Sequence, residues 1–213
     1  MPKPGLAVVI SSPSGTGKTT ICHALIKKNS DYQFSISATS RKRRINEQNG
    51  VDYWFMSKNK FLANKKAGMF IETTEYLGNF YGTPRRPLEQ AIEKGKIILL
   101  DIDIRGGLSI KKAVPQAVAI FIVPPSLPEL KRRLINRRTE SLEIQKRRLD
   151  EAYSELKRWN RYDYVVVNDD LRKAVSEVET IIEAERRKTN RLARKRFWTK
   201  SLIKPLGLTK ISR

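Results

Sequence analysis

Residues 12–19 read Ser-Pro-Ser-Gly-Thr-Gly-Lys-Thr and follow a short run of aliphatic and β-branched residues. Gly15 and Gly17 let successive backbone N–H groups turn inward around phosphate oxygens, and a helix opening at Lys18 adds its positive N-terminal potential. Lys18 carries charge toward a β- or γ-phosphate, and the Thr19 hydroxyl is an oxygen donor of the kind Mg²⁺ takes. The usual pattern opens on glycine, where this chain has Ser12. A nucleoside triphosphate site is therefore expected from Ser12, Pro13, Ser14, Gly15, Thr16, Gly17, Lys18, Thr19 and Thr20. The loop alone does not separate kinases from GTPases, ATPases or helicases.

A second group of residues suits a second anion. In TSRKRRINEQNGVDYWF, residues 39–55, four consecutive cations (Arg41, Lys42, Arg43 and Arg44) precede Tyr53. On composition alone this run suits a nucleic-acid or localisation patch. Further on come FIETTEYLGNFYGTPR, with Glu72, Tyr81 and Thr83, and LLDIDIRGG, with Asp101 and Asp103. Arginine forks and tyrosine hydroxyls both bond phosphate oxygens. An ionised carboxylate accepts hydrogen bonds only.

Taken in order, SISATSRKRR, NGVDYWF and these two stretches closely resemble the guanylate kinases, and the resemblance runs from Leu6 to about Asp170. It implies a P-loop NTPase fold and transfer of the γ-phosphoryl of ATP to GMP or dGMP, with Mg²⁺ as cofactor. By the same resemblance Arg41, Arg44, Tyr53 and Tyr81 hold the GMP phosphate, and Ser37, Glu72, Thr83 and Asp103 line the guanine. Thr19 ligates the metal, Asp101 orients its water shell or holds an acceptor-site arginine, and Asn168 lies near the adenine. Residues 131–148, KRRLINRRTESLEIQKRR, resemble the family's lid. Arg137 and Arg147 match its phosphate-contacting arginines, with Arg138 and Arg148 beside them as alternatives. Lys18, Arg41, Arg137 and Arg147 are thus the expected catalytic residues. The acceptor phosphate is already an anion, so no general base is required, and the lone His23 is expected to be structural or exposed. Catalytically silent guanylate-kinase-like binding modules, and kinases with another phosphorylated acceptor, are the competing readings.

Such sites need elements to position them. Gly5–Ser11, Ile97–Asp101, Ala117–Val123 and Tyr164–Val167 are short apolar runs of the kind buried parallel strands show. Lys18–Lys28 has helical spacing, and Leu171, Ala174, Val175, Val178, Ile181 and Ile182 recur on one helical face. Thr83-Pro84 predicts an N-cap with proline at the first helical position, and Gly95 the end of that helix. Ser126 and Glu129 have capping-box spacing, and Ser35–Ser37 is expected to end a strand. The result is an α/β fold, a central parallel sheet flanked by helices. The core is expected from residues 1–36 and 92–183, including a helical lid at about 131–155. Residues 37–91 form a small β-containing insertion with a short helix near 57–67, and 184–213 a basic tail.

The totals agree with anionic partners. Lys and Arg number 43 against 22 Asp and Glu, for a net +21 over 213 residues. The tail from Ala184 has eleven Lys or Arg against one acid, Glu185, and is expected to be a solvated end or a contact for RNA or an anionic surface. The single cysteine, Cys22, allows no intrachain disulfide, and no apolar run has the length to cross a bilayer. A cytoplasmic protein is expected, and a homo-oligomer is compatible with the sequence.

Overall fold

Leu6–Ser11 is buried at every position, and alternate strand residues point to opposite faces, so this strand must be covered on both sides. The computed structural model, which describes residues 4–76, 78–135 and 142–192, supplies both covers. In chain order the first half contains β1 (Leu6–Ser11), α1 (Lys18–Lys28), β2 (Tyr32–Phe34), β3 (Ala38–Thr39), β4 (Trp54–Phe55), α2 (Lys58–Lys66), β5 (Phe70–Tyr76), β6 (Asn79–Pro84) and α3 (Arg85–Glu93). The second half contains β7 (Ile97–Asp101), α4 (Ile104–Ala113), β8 (Val118–Val123), α5 (Leu127–Ile135), α6 (Leu142–Leu156), β9 (Tyr164–Val167), α7 (Leu171–Arg186) and α8 (Thr189–Leu192).

Five strands form an all-parallel sheet in the order β2-β7-β1-β8-β9. Leu6, Val8 and Ile10 pack with Ile21 and Leu25 of α1 and Val178 and Ile182 of α7. On the other face Ala7, Val9 and Ala119 meet Leu88 of α3 and Ile110 of α4. The small residues there let α4 approach closely: a Cβ on Gly107 would lie 3.0 Å from Val9 Cγ1. Central β1 has β7 on one side and β8 on the other, so the strand order reverses beside it. Ligand crevices in such sheets open at the carboxyl ends of the strands at that point.

The insertion is a separate four-stranded sheet, β4-β3-β6-β5, with α2 laid on it. Its own core is small: Phe61 stacks on Phe70 and Phe80 at 4.6 and 5.5 Å between ring centroids, around Ala38 and Met56. Leu130 and Leu134 of α5 pack against Ala152 of α6 as a further satellite.

Local details depart from the sequence reading. Thr83 does not cap α3; β6 runs on to Pro84, which occupies the cap position with no side-chain bond. The reason is that the Thr83 hydroxyl donates to Glu72 instead. β2 ends at Phe34, although the Ser35 N–H still donates to the Leu99 carbonyl. The capping box of α5 is half made: Ser126 Oγ accepts from the Glu129 N–H, while the Glu129 carboxylate turns to Arg132 and Arg133. His23 is exposed, edge-on to Phe34.

The start of the basic tail is part of the folded domain. Arg186, in the last turn of α7, is 2 % exposed and donates to the carbonyls of Pro4 and Gly95. Glu185, 3 % exposed, accepts from Tyr164, Lys188 and Arg191. Residues 193–213 lie outside the described residues.

Two outcomes follow from this packing. Phe61→Ala removes the centre of the insertion core and is expected to destabilise the protein by about 3–5 kcal/mol in urea unfolding. Burial pushes the Glu185 carboxyl up, but Lys188, Tyr164 and Arg191 outweigh it and hold it at about 2 against an ordinary 4.5. A depressed carboxylate stabilises the fold above its unfolded value and loses that contribution as pH falls. Urea midpoints are therefore expected to drop between about pH 4.5 and 2, and Glu185→Gln to flatten that limb.

Candidate active site

The loop after β1 enters left-handed backbone at Gly15 and Gly17, both at φ 86°. Gly17 stands at the cap position of α1 with no side-chain cap bond. The first N–H groups of that helix are thus left for a ligand, which is how an anion comes to sit there. The loop is braced from below. Thr16 Oγ1 donates to the Pro13 carbonyl at 3.0 Å, and Asn168 Nδ2 donates to the Thr16 carbonyl at 2.6 Å. A Cβ on Gly17 would lie 2.6 Å from that Asn168 nitrogen.

Asp101, at the end of β7, holds the two side chains that follow the loop. Its Oδ1 lies 2.6 Å from Lys18 Nζ, and its Oδ2 accepts from the Thr19 hydroxyl at 2.7 Å. Lys18 also donates to the Ile102 carbonyl at 2.9 Å. Thr19 and Asp101 together make a small all-oxygen donor set, which suits Mg²⁺ completed by phosphates and water. Among the described residues no group of three or more His, Cys, Asp or Glu could hold a metal by itself.

Facing the loop across one cavity of about 620 Å³ are Ser37, Tyr53, Glu72, Tyr81 and Asp103. Glu72 accepts from the Thr83 hydroxyl at 2.8 Å and from Thr74 at 3.4 Å. Burial, more than anything else, pushes its carboxyl above the ordinary carboxylate value. Asp103 caps α4, accepting from the Gly106 N–H at 2.7 Å. Tyr53 and Tyr81 meet edge to face at 6.1 Å, and the Arg41 guanidinium lies over the Tyr53 and Phe55 rings at 5.3 and 5.6 Å.

Several expected residues stand elsewhere. Arg41 and Arg44 do not line the cavity; Arg41 is paired with Glu47, and the Arg44 side chain is exposed. Asn168 lies beneath the phosphate loop rather than in the cavity wall. Arg147 is exposed on α6, and Arg148 lines the cavity. Arg137 and Arg138 lie outside the described residues.

The sequence reading missed Glu47, Thr74 and most of the inner face of α6. Arg148, Glu151 and Glu155 of α6, with Arg158 just past its end, all reach the cavity. Their 3-4-3 spacing is that of one helix face and was a usable signal. Burial, then Glu151 and Asp103, push the Glu155 carboxyl up to about 7, so near neutrality it is only partly charged beside the phosphate loop. Thr74 lies two residues from Glu72 on β5, hence on the same face.

The glycine-rich loop and the half-buried Glu72 carboxylate thus face each other across one cleft. The guanylate kinase family model matches residues 5–185. The chain belongs to the guanylate kinase family. It is 44% identical over 190 residues to a guanylate kinase of Oceanobacillus iheyensis, covering 89% of this chain and 92% of that one. A guanylate kinase of Myxococcus xanthus is 45% identical over 190 residues, covering 89% and 91%. The crystal structure of a guanylate kinase from Anaplasma phagocytophilum superposes with a TM-score of 0.75 at 34% identity, covering 93% of this chain and 96% of that one.

For this guanylate kinase fold the tightest local constraint is the loop. Gly17→Ala would place a Cβ against Asn168 in left-handed backbone, a strain of roughly 1–2 kcal/mol before the contact is counted. The loop must shift to relieve it. A non-hydrolysable nucleoside triphosphate analogue is expected to bind about tenfold more weakly by calorimetry, with binding of the second nucleotide unchanged.

Proposed function

We propose that this cavity carries out the guanylate kinase reaction, ATP and GMP giving ADP and GDP, with GMP or dGMP bound opposite the phosphate loop. The observation that carries the assignment is Glu72. It is a carboxylate held by Thr83 and Thr74 on the wall that faces Ser12–Thr19. Each Glu72 oxygen accepts from one threonine hydroxyl and has a lone pair left to accept from N1–H and N2–H₂ of guanine, with Ser37 and Asp103 alongside. Adenine in the same place leaves a buried carboxylate facing another acceptor, costing about 1–3 kcal/mol.

The chemistry is positioning and charge neutralisation. The N–H groups of Ser14–Thr19 and Lys18 hold the β- and γ-phosphates, and Thr20 follows on α1. Thr19, hydrogen-bonded to Asp101, would hold Mg²⁺, which would supply positive charge for the phosphates. Tyr53 and Tyr81, which line the cavity, hold the acceptor phosphate with Arg41, which lies over the Tyr53 ring, and with Arg44 by resemblance to the family; the acceptor oxygen is already anionic and needs no base. From the lid, Arg148 already lines the cavity, and Arg137 and Arg147 join it by resemblance to the family. Asn168 supports the adenine side by fixing the loop from beneath. We place the enzyme in the cytoplasm, in keeping with its one buried cysteine. For residues 184–213, contact with RNA or an anionic surface is proposed on charge alone. A silent binding module is not favoured, because Gly15, Gly17, Lys18 and Thr19 stand in working order.

Glu72→Gln puts an amide N–H₂ where an acceptor is needed. In a coupled ADP-release assay kcat/KM for GMP is expected to fall about 10- to 100-fold, the equivalent of losing about 1–3 kcal/mol, with KM for ATP little changed. Because burial raises the Glu72 carboxyl, GMP use by the parent enzyme declines on the acid side at a pH above 4.5 as Glu72 takes up a proton. The variant lacks that limb. Equal losses toward both nucleotides would remove Glu72 from the guanine site.

A further inference from the structure

Between the acceptor-site cations and the first aromatic of the insertion stands Glu47, a half-buried carboxylate to which the reaction as described gives no part. Its Oε1 accepts from Arg41 Nη2 at 2.7 Å, and its Oε2 accepts from Arg41 Nη1 at 2.8 Å. The same Oε2 accepts from the Arg44 backbone N–H at 2.8 Å. The main chain of Glu47 closes the loop as well, its N–H donating to the Arg44 carbonyl and its carbonyl accepting from Arg43 Nη1. Arg41 and Glu47 are both largely withdrawn from solvent, their side chains 17% and 16% exposed. One carboxylate therefore fixes the two expected phosphate ligands, the first by its side chain and the second by its backbone.

The donor count shows what this does to Arg41. A guanidinium has five N–H groups in a rigid plane. Two point at Glu47, and a third, on Nη1, goes to the Lys42 carbonyl at 2.8 Å. What is left is the Nε–H and the second Nη2–H, which lie side by side on one edge, with the Tyr81 hydroxyl of the cavity wall also in hydrogen-bonding reach of the guanidinium. That edge is itself a two-pronged fork of the kind that matches two oxygens of one phosphate. Tyr53 and Phe55 lie against the guanidinium and limit its rotation. Without Glu47 the long arginine side chain regains its rotamers, and ordering it on the ligand costs affinity.

We infer that Glu47 is a positioning residue for the acceptor phosphate: it locks Arg41 so that the Nε–Nη2 edge alone is presented, and ties Arg44 to the same frame. This rests on the assignment of Arg41 to the acceptor phosphate. The carboxylate does not touch the nucleotide; it acts through the arginine. Its role is thus separable from that of a residue which merely keeps the loop folded.

The test is a double-variant cycle read with both substrates: Glu47→Gln, Glu47→Asp, Arg41→Met, and Glu47→Gln combined with Arg41→Met, each checked for an unchanged thermal midpoint. Glu47→Gln is expected to raise KM for GMP about tenfold, with KM for ATP within about twofold of the parent. Glu47→Asp, which keeps the charge but shortens the reach, is expected to fall between parent and Gln. In the Arg41→Met background the Glu47 substitution is expected to add less than about twofold, because coupled groups are not additive. If Glu47→Gln multiplies KM for GMP by the same factor with or without Arg41, or raises both KM values together, Glu47 acts as a loop staple and the inference fails. If Glu47→Gln changes nothing while Arg41→Met raises KM for GMP, the inference fails and the Arg41 assignment stands. If Arg41→Met itself leaves KM for GMP unchanged, the assignment of Arg41 falls, and the inference with it.

Discussion

Two polyanions must be brought into contact, and a side-chain cation meant for a phosphate must be held in place before the phosphate arrives. Unit charges about 4 Å apart interact by about 4 kcal/mol at the effective dielectric of a protein surface. No single cation offsets several such repulsions, so the site needs many, and a long cationic side chain left alone is free to turn away. The structure answers this with carboxylates placed behind the cations. Asp101 holds Lys18 and Thr19 at the mouth of the phosphate loop. Glu47 holds Arg41 on the other side of the cleft. Asp101 does this from within the cavity wall, whereas the Arg41–Glu47 pair lies just outside it, against the ring of Tyr53.

The acids around the cleft behave differently because their surroundings differ. Glu47, paired with Arg41 and bonded to the Arg44 backbone, is drawn down to about 2 and stays ionised throughout the working range. Glu72, buried among hydroxyls, is pushed up. Glu155, buried near Glu151 and Asp103, reaches about 7. Ion pairing and burial move a carboxyl in opposite directions. Here they sort one residue type into a permanently ionised partner for Arg41, a raised carboxyl held by threonine hydroxyls, and a partly charged group beside the glycine-rich loop.

Positioning all of this is the task of the sheet. Leu6–Ser11 is packed on both faces, so the loop that follows starts from a rigid base, and the reversal of strand order beside it opens the crevice. The insertion stands on its own core of three stacked phenylalanines, smaller than the cores on either face of the main sheet. Asn168, from the end of β9, reaches under the loop and joins the far side of the sheet to the cradle.

Much of this was legible in the residues by themselves. Strands buried on two faces are apolar at every position, and helices packed on one face repeat at three and four, so the core elements show in the chain with their ends nearly correct. The phosphate loop shows because its backbone demands glycine at Gly15 and Gly17. What the chain does not display is which of two partners a polar group will take. Thr83 has the look of a cap and is instead a bond to Glu72, because β6 and β5 pair in a register that sets them opposite each other. Arg41 reads as a ligand for phosphate, and only the folded turn reveals Glu47 behind it. The boundary at 184 follows composition, yet Glu185 and Arg186 are buried, since a charged side chain is admitted to a core wherever enough partners surround it. Local preference and periodicity are written along the chain; the choice of hydrogen-bond partner among residues distant in sequence is made only when tertiary packing brings them within about 3 Å.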